Sequence, residues 1–230
     1  SLDDVAAEAG ITRVLLYRHF DSKADMYRAV LDRAGHRPTR VRTTADVQFE
    51  AANKHRIPFT AVSGGLFVGD RAAPMSRYPY ISESNERIAQ MTGVTFGAAY
   101  KALAEEGTTV MDSLDAATAL AVLRAQDPEQ AIHWVHELQQ AFYLNGRSLS
   151  DQEVCLGIAA ANGLDVEAVR RHLTDGSGRE QALADFALAR ALGAQSYPTL
   201  LFVDGRKVTK LPAVGTPLET LNQTLDSLLG

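Results

Sequence analysis

GAQSYPTLLFVDGRKVTKLP, residues 193–212, is the stretch on which the fold turns. A loop ending in Pro198 runs into TLLFV (199–203). Asp204-Gly205-Arg206 is a tight hairpin signal, and KVTKL (207–211) returns as a second strand. An amphipathic helix is expected from about Pro217 to Leu229. Upstream lies a long helical block, with helices expected at 82–92, 97–106, 113–125, 128–143, 150–162, 165–173 and 178–192. Asp127-Pro128, Asn145-Gly146 and Gly176-Ser177-Gly178 punctuate it. Before that block, IPFTAVSGGLFVG (57–69) reads as a strand entering a glycine-rich loop, and ADVQFEAANKHR (45–56) as the tail of a helix. HRPTRVRTT (36–44) is polar, basic and broken by Pro38. It reads as a linker or at most a short strand.

The order proline loop, strand, hairpin, strand, helix resembles the closing half of a thioredoxin fold. Together with FEAANKH (49–55), IPFTAVSGGLFVGDRAAPM (57–75), ERIAQMTGVTFGAAY (86–100) and AFYLNGRSLSDQEVCLGIAAANGLD (141–165), it makes residues 46–230 resemble the DsbA family, in the branch with a large helical insertion, here about 70–192. The resemblance extends to glutathione-dependent isomerases and kappa-class transferases. It implies that Pro198 is the cis-proline facing the active site. It also implies that backbone groups of Ser196 and Tyr197 pair with an extended peptide or a small thiol. It further implies a central first strand ahead of Phe49, followed by a CxxC at a helix N-terminus. RVRTTADVQ stands just before Phe49 instead, so the fold is expected to lack that strand, with Arg40–Thr44 as a short substitute.

The chemistry of the family is missing from the sequence. Thiol–disulfide exchange needs an attacking thiolate and a second sulfur. The chain holds one cysteine, Cys155, set among Val154, Leu156 and Ile158 in an expected helix, where a buried packing role is the ordinary reading. No catalytic residue, cofactor or metal is therefore assigned. His133, His136 and Glu137 do not have the HExxH spacing, and Trp134 beside them reads as core. Glu105, Glu106, Asp112 and Asp115 read as a solvated face.

The first 35 residues have a different character. LDDVAAEAGITRVLLYRHFDSKADMYRAVL (2–31) resembles the DNA-binding head of TetR-type regulators through the spacing of Gly10, Tyr17, His19, Phe20 and Lys23. Three helices are expected: a first closed by Gly10, a recognition helix from Thr12 to Phe20, and a third from Ser22 to about Arg33. The resemblance implies that Tyr17, His19 and Lys23 position the DNA backbone and that Thr12, Arg13 and Val14 face bases. Arg18 adds a further phosphate or guanine contact. Val14-Leu15 is more apolar than the family's usual pair, and the helix that precedes this segment in the family is not among these residues.

Charge agrees with the division. The net charge is −5, but residues 1–45 carry eight Lys/Arg against six Asp/Glu, and the remainder fifteen against twenty-two. A basic head on an acidic body suits a local polyanion contact. No apolar run approaches the ~18 residues of a membrane span, and the acidic SLDDVAAEAG start does not resemble a signal peptide. The chain begins at Ser1 rather than Met, as a fragment or trimmed product would. One cysteine makes the cytoplasm the expected compartment.

The expected fold is thus α/β and mostly helical: a helix-turn-helix segment (1–35), a junction (36–45), and an incomplete DsbA-like thioredoxin fold (46–230). The expected function is a DNA-binding regulator with a redox-inactive body. Its partners would be double-stranded DNA and a peptide or small thiol at the Pro198 loop, with no membrane and a homodimer as its assembly. The alternative is an oxidoreductase or glutathione-dependent isomerase relative with the head as passenger.

Overall fold

The computed structural model describes residues 14–19, 45–92, 94–194, 199–205, 207–212 and 216–230. A four-stranded sheet, ordered β2-β1-β5-β6, organises it. The strands are β1 (Val14–His19), β2 (Phe59–Ser63), β5 (Thr199–Asp204) and β6 (Lys207–Leu211). A two-stranded bridge, β3 (Ala73–Pro74) with β4 (Val110–Met111), lies apart from it.

The largest departure from the sequence reading is β1. Val14–His19 was expected inside a recognition helix and is an extended strand at the centre of the sheet. It runs parallel to β2, with Leu15 opposite Phe59 and His19 opposite Ser63. It runs antiparallel to β5, with Val14 opposite Val203 and Arg18 opposite Thr199. The sheet therefore has the middle strand it was expected to lack, and VLLYRH supplies it in place of Arg40–Thr44, which lie outside the described residues. The physical reason is the slot. Two apolar strands, FTAVS and TLLFV, each present a row of backbone donors and acceptors that cannot stay unpaired when buried. VLLYRH is short, lacks Gly and Pro, and can meet both rows at once. Its local helical pattern is a weak prior beside two complete ladders.

The remaining elements follow the expected order. α1 (Ala45–Asn53) precedes β2. α2 (Tyr80–Thr92), α3 (Ala98–Glu106), α4 (Ser113–Gln126), α5 (Ala131–Gln139), α6 (Gln152–Ala161), α7 (Val166–Thr174) and α8 (Ser177–Ala191) form the insertion, and α9 (Leu218–Leu229) closes the chain. The expected helix 128–143 is three pieces: a 3-10 turn at Pro128–Gln130, α5, and a π-helical turn at Gln140–Leu144. Aspartates start several helices: Asp112, Asp151 and Asp165 accept from the backbone N–H of Leu114, Glu153 and Ala168. Gly107, at φ +71°, ends α3 in the left-handed conformation. In the β5–β6 hairpin Asp204 pairs with Lys207, and Gly205 has φ +58°.

Alternation along the strands builds two cores. Phe59, Ala61, Leu200, Phe202 and Leu211 pack with Phe49 of α1 and with Leu221 and Leu225 of α9. Val62, Leu201 and Val203 pack with Ala189 and Leu192 at the end of α8. In the insertion α4 is the hub, against α5 and α8. At Gly178 a Cβ would lie 2.5 Å from Val122 Cγ1, so only glycine lets α8 approach α4 this closely. Trp134 is 1% exposed, as expected for core, and its indole N–H donates to Asp127 O at 2.8 Å.

Candidate functional site

Strand direction sets one end of the sheet apart. β1 and β2 are parallel and finish together, and β5 begins there, with His19 opposite Ser63 and Arg18 opposite Thr199. Thr199, 1% exposed, follows directly on the proline loop. Residues Ser196, Tyr197 and Pro198 themselves lie outside the described residues, as do Thr12, Arg13 and Lys23.

Of the expected DNA-facing set, Val14, Tyr17, Arg18 and His19 are strand residues, with Tyr17 opposite both Ala61 and Leu200. The helical face on which they were to converge with Thr12, Arg13 and Lys23 is not what Val14–His19 builds. A backbone segment paired on both edges cannot simultaneously make the i to i−4 bonds of a helix.

A buried polar cluster that sequence reading missed closes this end. Asp185 of α8 is 3% exposed. Its carboxylate receives both terminal nitrogens of Arg124 from α4, at 2.9 and 3.0 Å, and also the backbone N–H of Ser63 at 2.9 Å. Arg124 Nη1 also donates to the carbonyl of Ala61. Ala61 and Ser63 are alternate residues of β2, so their outward C=O and N–H belong to the open edge of the sheet. Arg124 and Asp185 occupy that edge as a neighbouring strand would, one donating and one accepting. Nothing local in the sequence marks two residues 61 positions apart as partners.

The sulfur is elsewhere. Cys155 sits on α6, 2% exposed, with its thiol donating to Ala119 O at 3.7 Å. Burial pushes its pKa up to about 12. Burial therefore favours the protonated thiol over the thiolate that an attacking sulfur needs. Residues 20–44, which follow β1 and lead to α1, contain no cysteine. His133 Nε2 lies 3.0 Å from Asn162 Oδ1, while His136 Nδ1 is buried with no hydrogen-bond partner among the described residues. Among the described residues no three His, Cys, Asp or Glu side chains group as metal ligands.

A cavity of about 70 Å³, open on one side, borders the same sheet end at Ser63 and Gly64. Its other walls come from β4, the start of α4, α5 and the π turn. Phe67 is strapped to α4 by two bonds: its N–H donates to Ser113 Oγ at 3.0 Å, and Ser113 N–H donates back to its carbonyl at 2.9 Å. Asp112, expected on a solvated face, instead caps α4 at the cavity wall. Phe67 continues outward into Tyr78 and Tyr80, with ring centroids 4.8 and 5.9 Å apart.

Comparisons with known proteins follow this geometry. A family model described as thioredoxin matches residues 84–213, and one described as bacterial regulatory proteins, tetR family, matches residues 1–30. The ClpXP adapter protein SpxH of Bacillus licheniformis is 26% identical over 140 residues. The match takes in 56% of this chain and 44% of that protein, so the chain spans less than half the length of this relative. The cytosolic disulfide reductase DsbM of Pseudomonas aeruginosa superposes with TM-score 0.69 at 21% identity, covering 93% of this chain and 98% of that one. A probable DsbA oxidoreductase from Streptomyces coelicolor gives 0.57 at 18% identity, covering 94% and 89%. Among the described residues, no helix is long and apolar enough to cross a membrane. With the family model spanning 84–213 and the DsbA-like sheet and insertion in place, this chain belongs to the thioredoxin family.

Proposed function

We propose that this protein is a thioredoxin-fold binding protein without thiol–disulfide exchange. It holds a peptide or small thiol at the Ser196-Tyr197-Pro198 loop through backbone pairing and does not turn it over. The observation that carries this reading is Cys155: the sole sulfur nucleophile of the chain is buried, protonated and hydrogen-bonded inside α6. A dithiol cycle balances only when a second thiolate resolves the mixed disulfide, and none exists here. The P. aeruginosa reductase DsbM has also been solved with glutathione, which supports a small-thiol ligand for this shape of site. The cytoplasm suits such a ligand. Purified protein should leave insulin disulfides intact over hours in the presence of glutathione. It should still bind glutathione in calorimetry, and lose that binding in Pro198→Ala. Insulin reduction that persists in Cys155→Ser would overturn the assignment of a silent site.

A second reading, a DNA-binding regulator acting as a homodimer, is favoured by the tetR-family match at residues 1–30 and by the basic excess of the first 45 residues. It requires Val14–His19 to leave the sheet, and at low salt it predicts DNA binding that weakens steeply as salt rises. Indifference of the native chain to duplex DNA at low ionic strength removes it.

A further inference from the structure

Asparagine followed by glycine occurs twice, at Asn145-Gly146 and Asn162-Gly163. The two pairs share one backbone conformation. Asn145 caps the π turn at φ −100°, ψ −3°, and Asn162 caps α6 at φ −103°, ψ 8°. Gly146 and Gly163 follow in the left-handed region, at φ +63° and +71°. Their surroundings are opposite. Gly146 is wedged against α3: a Cβ there would lie 2.7 Å from Ala99 O, and its N–H donates to Phe142 O at 2.9 Å. A Cβ at Gly163 would meet nothing among the described residues within 4 Å, and its N–H reaches Ala160 O at 3.2 Å. Both Asn162 and Gly163 are exposed. The restraint on this second pair falls on the side chain instead. Asn162 Nδ2 donates to Ile158 O at 2.9 Å, one turn back along α6, and its Oδ1 faces His133 Nε2 at 3.0 Å. With the amide nitrogen turned to a carbonyl, the amide oxygen must accept, so His133 carries a hydrogen on Nε2.

We propose that Asn162 is a deamidation site and that His133 guards it. An asparagine side chain converts when the following backbone nitrogen attacks its carbonyl carbon, and a following glycine puts no side chain in the way. Here Gly163 N bonds to Asn162 Cγ and passes its hydrogen to solvent. The Cγ–Nδ2 bond breaks, ammonia leaves with a proton, and a five-membered succinimide remains. Water opens that ring at either carbonyl, giving aspartate or isoaspartate at 162, with nothing oxidised or reduced. At ψ near zero the ring cannot close, so closure needs both a backbone turn and a swing of the side chain. The backbone of Asn162-Gly163 has room to turn, whereas that of Asn145-Gly146 is held by Ala99 and Phe142. The side-chain swing at Asn162 must break the bonds to Ile158 O and His133. Conversion at 162 is therefore paced by this tether, and conversion at 145 is blocked by packing. The product loses the Nδ2 donor to Ile158 O, and its isoaspartate form adds a backbone methylene between α6 and α7. None of this rests on the ligand proposed for the proline loop.

The test incubates the full chain at mildly alkaline pH and physiological temperature for weeks. Peptides carrying positions 145 and 162 are then followed by mass spectrometry. Asn162 should convert while Asn145 stays an amide. His133→Ala removes one bond of the tether and should speed conversion at 162 roughly fivefold, with 145 unchanged and the far-UV spectrum native. His133→Gln keeps an N–H donor at similar reach and should restore the native rate, which a loss of packing alone would not do. Conversion at 145 as fast as at 162 would overturn the assignment of the site. An unchanged rate at 162 in His133→Ala would overturn the guard. A slower rate there would overturn it too, since the ring would then be polarising the amide rather than holding it. No conversion at 162 in either the native chain or His133→Ala rejects the site outright. Should His133→Ala not fold, His133→Leu, which keeps side-chain bulk without a donor, takes its place with the same expected acceleration.

Discussion

β1 and β5 lie side by side in one sheet, in register over Val14–Arg18 and Thr199–Val203, yet their sequences announce themselves differently. TLLFV, ahead of Asp204-Gly205-Arg206, is a strand by every local sign. VLLYRH carries the spacing of a recognition helix and matches a tetR-family model as part of residues 1–30. The difference teaches that a strand can be specified from outside itself. β5 is a strand because of what it contains. β1 is a strand because two neighbours leave a slot whose backbone groups must be met. A six-residue segment with no Gly or Pro can fill that slot whatever pattern it carries.

The sharpest way to break this comparison is a pair of proline substitutions at registered positions, Leu16→Pro and Leu201→Pro. Each removes a ladder donor from an interior strand and should cost more than about 3 kcal/mol. That is a large share of a typical ~5–15 kcal/mol. Equilibrium urea unfolding should show the same collapse for both. A Leu16→Pro protein as stable as the native chain would remove β1 from the sheet.

Next in size is the far edge of β2. Asp185→Ala leaves Arg124 buried without its partner and uncovers Ser63 N–H, and should cost about 3 kcal/mol. If β2 instead finds its edge partners in water, the loss read from the urea midpoint will stay below about 1 kcal/mol. Gly178→Ala comes third. Its Cβ meets Val122 at 2.5 Å and His172 O at 2.8 Å, so α4 and α8 must part, at about 2 kcal/mol. This variant should leave the β1–β5 pairing intact, which amide exchange can confirm strand by strand.

The smallest effect is electrostatic. Burial raises the Glu50 carboxyl pKa, against the opposing influence of Lys54 and His133. A raised folded pKa favours the protonated form in the native state. Glu50 therefore adds stability below its unfolded pKa and withdraws it as pH rises through the folded value. Glu50→Gln should stabilise the protein slightly at pH 7, and the gain should vanish on acidification through the carboxylate range. A gain independent of pH would point to packing rather than charge.

Much of the body was legible. The hairpin, the closing helix and the insertion helices follow from turn residues and aspartate caps, whose physics is local. The long helix at 128–143 was readable as helical, but not its π turn, which depends on how α3 and Gly97 dock against it. At the candidate site, Cys155 was legible as buried because its neighbours Val154, Leu156 and Ile158 are apolar. The Arg124–Asp185 clamp was not, because its members meet only after α4 and α8 have packed. Asp112 looked like surface because its acidic neighbours do. It is a cap because α4 begins one residue later.

The sequence alone determined that these 230 residues hold a single cysteine, so no sulfur pair can form within them. Sulfur count is a covalent property, and one cysteine stays one however the chain folds. It also determined the thioredoxin-like order of elements, since turns and caps act within a few residues. Tertiary structure alone decided that Val14–His19 is a strand, that β2's open edge is closed by an ion pair, and that a cavity opens beside it at Ser63 and Gly64. Each of these depends on surfaces brought together from distant parts of the chain. The free energy of satisfying buried backbone groups there outweighs the fraction of a kcal/mol per residue by which local propensity separates helix from strand.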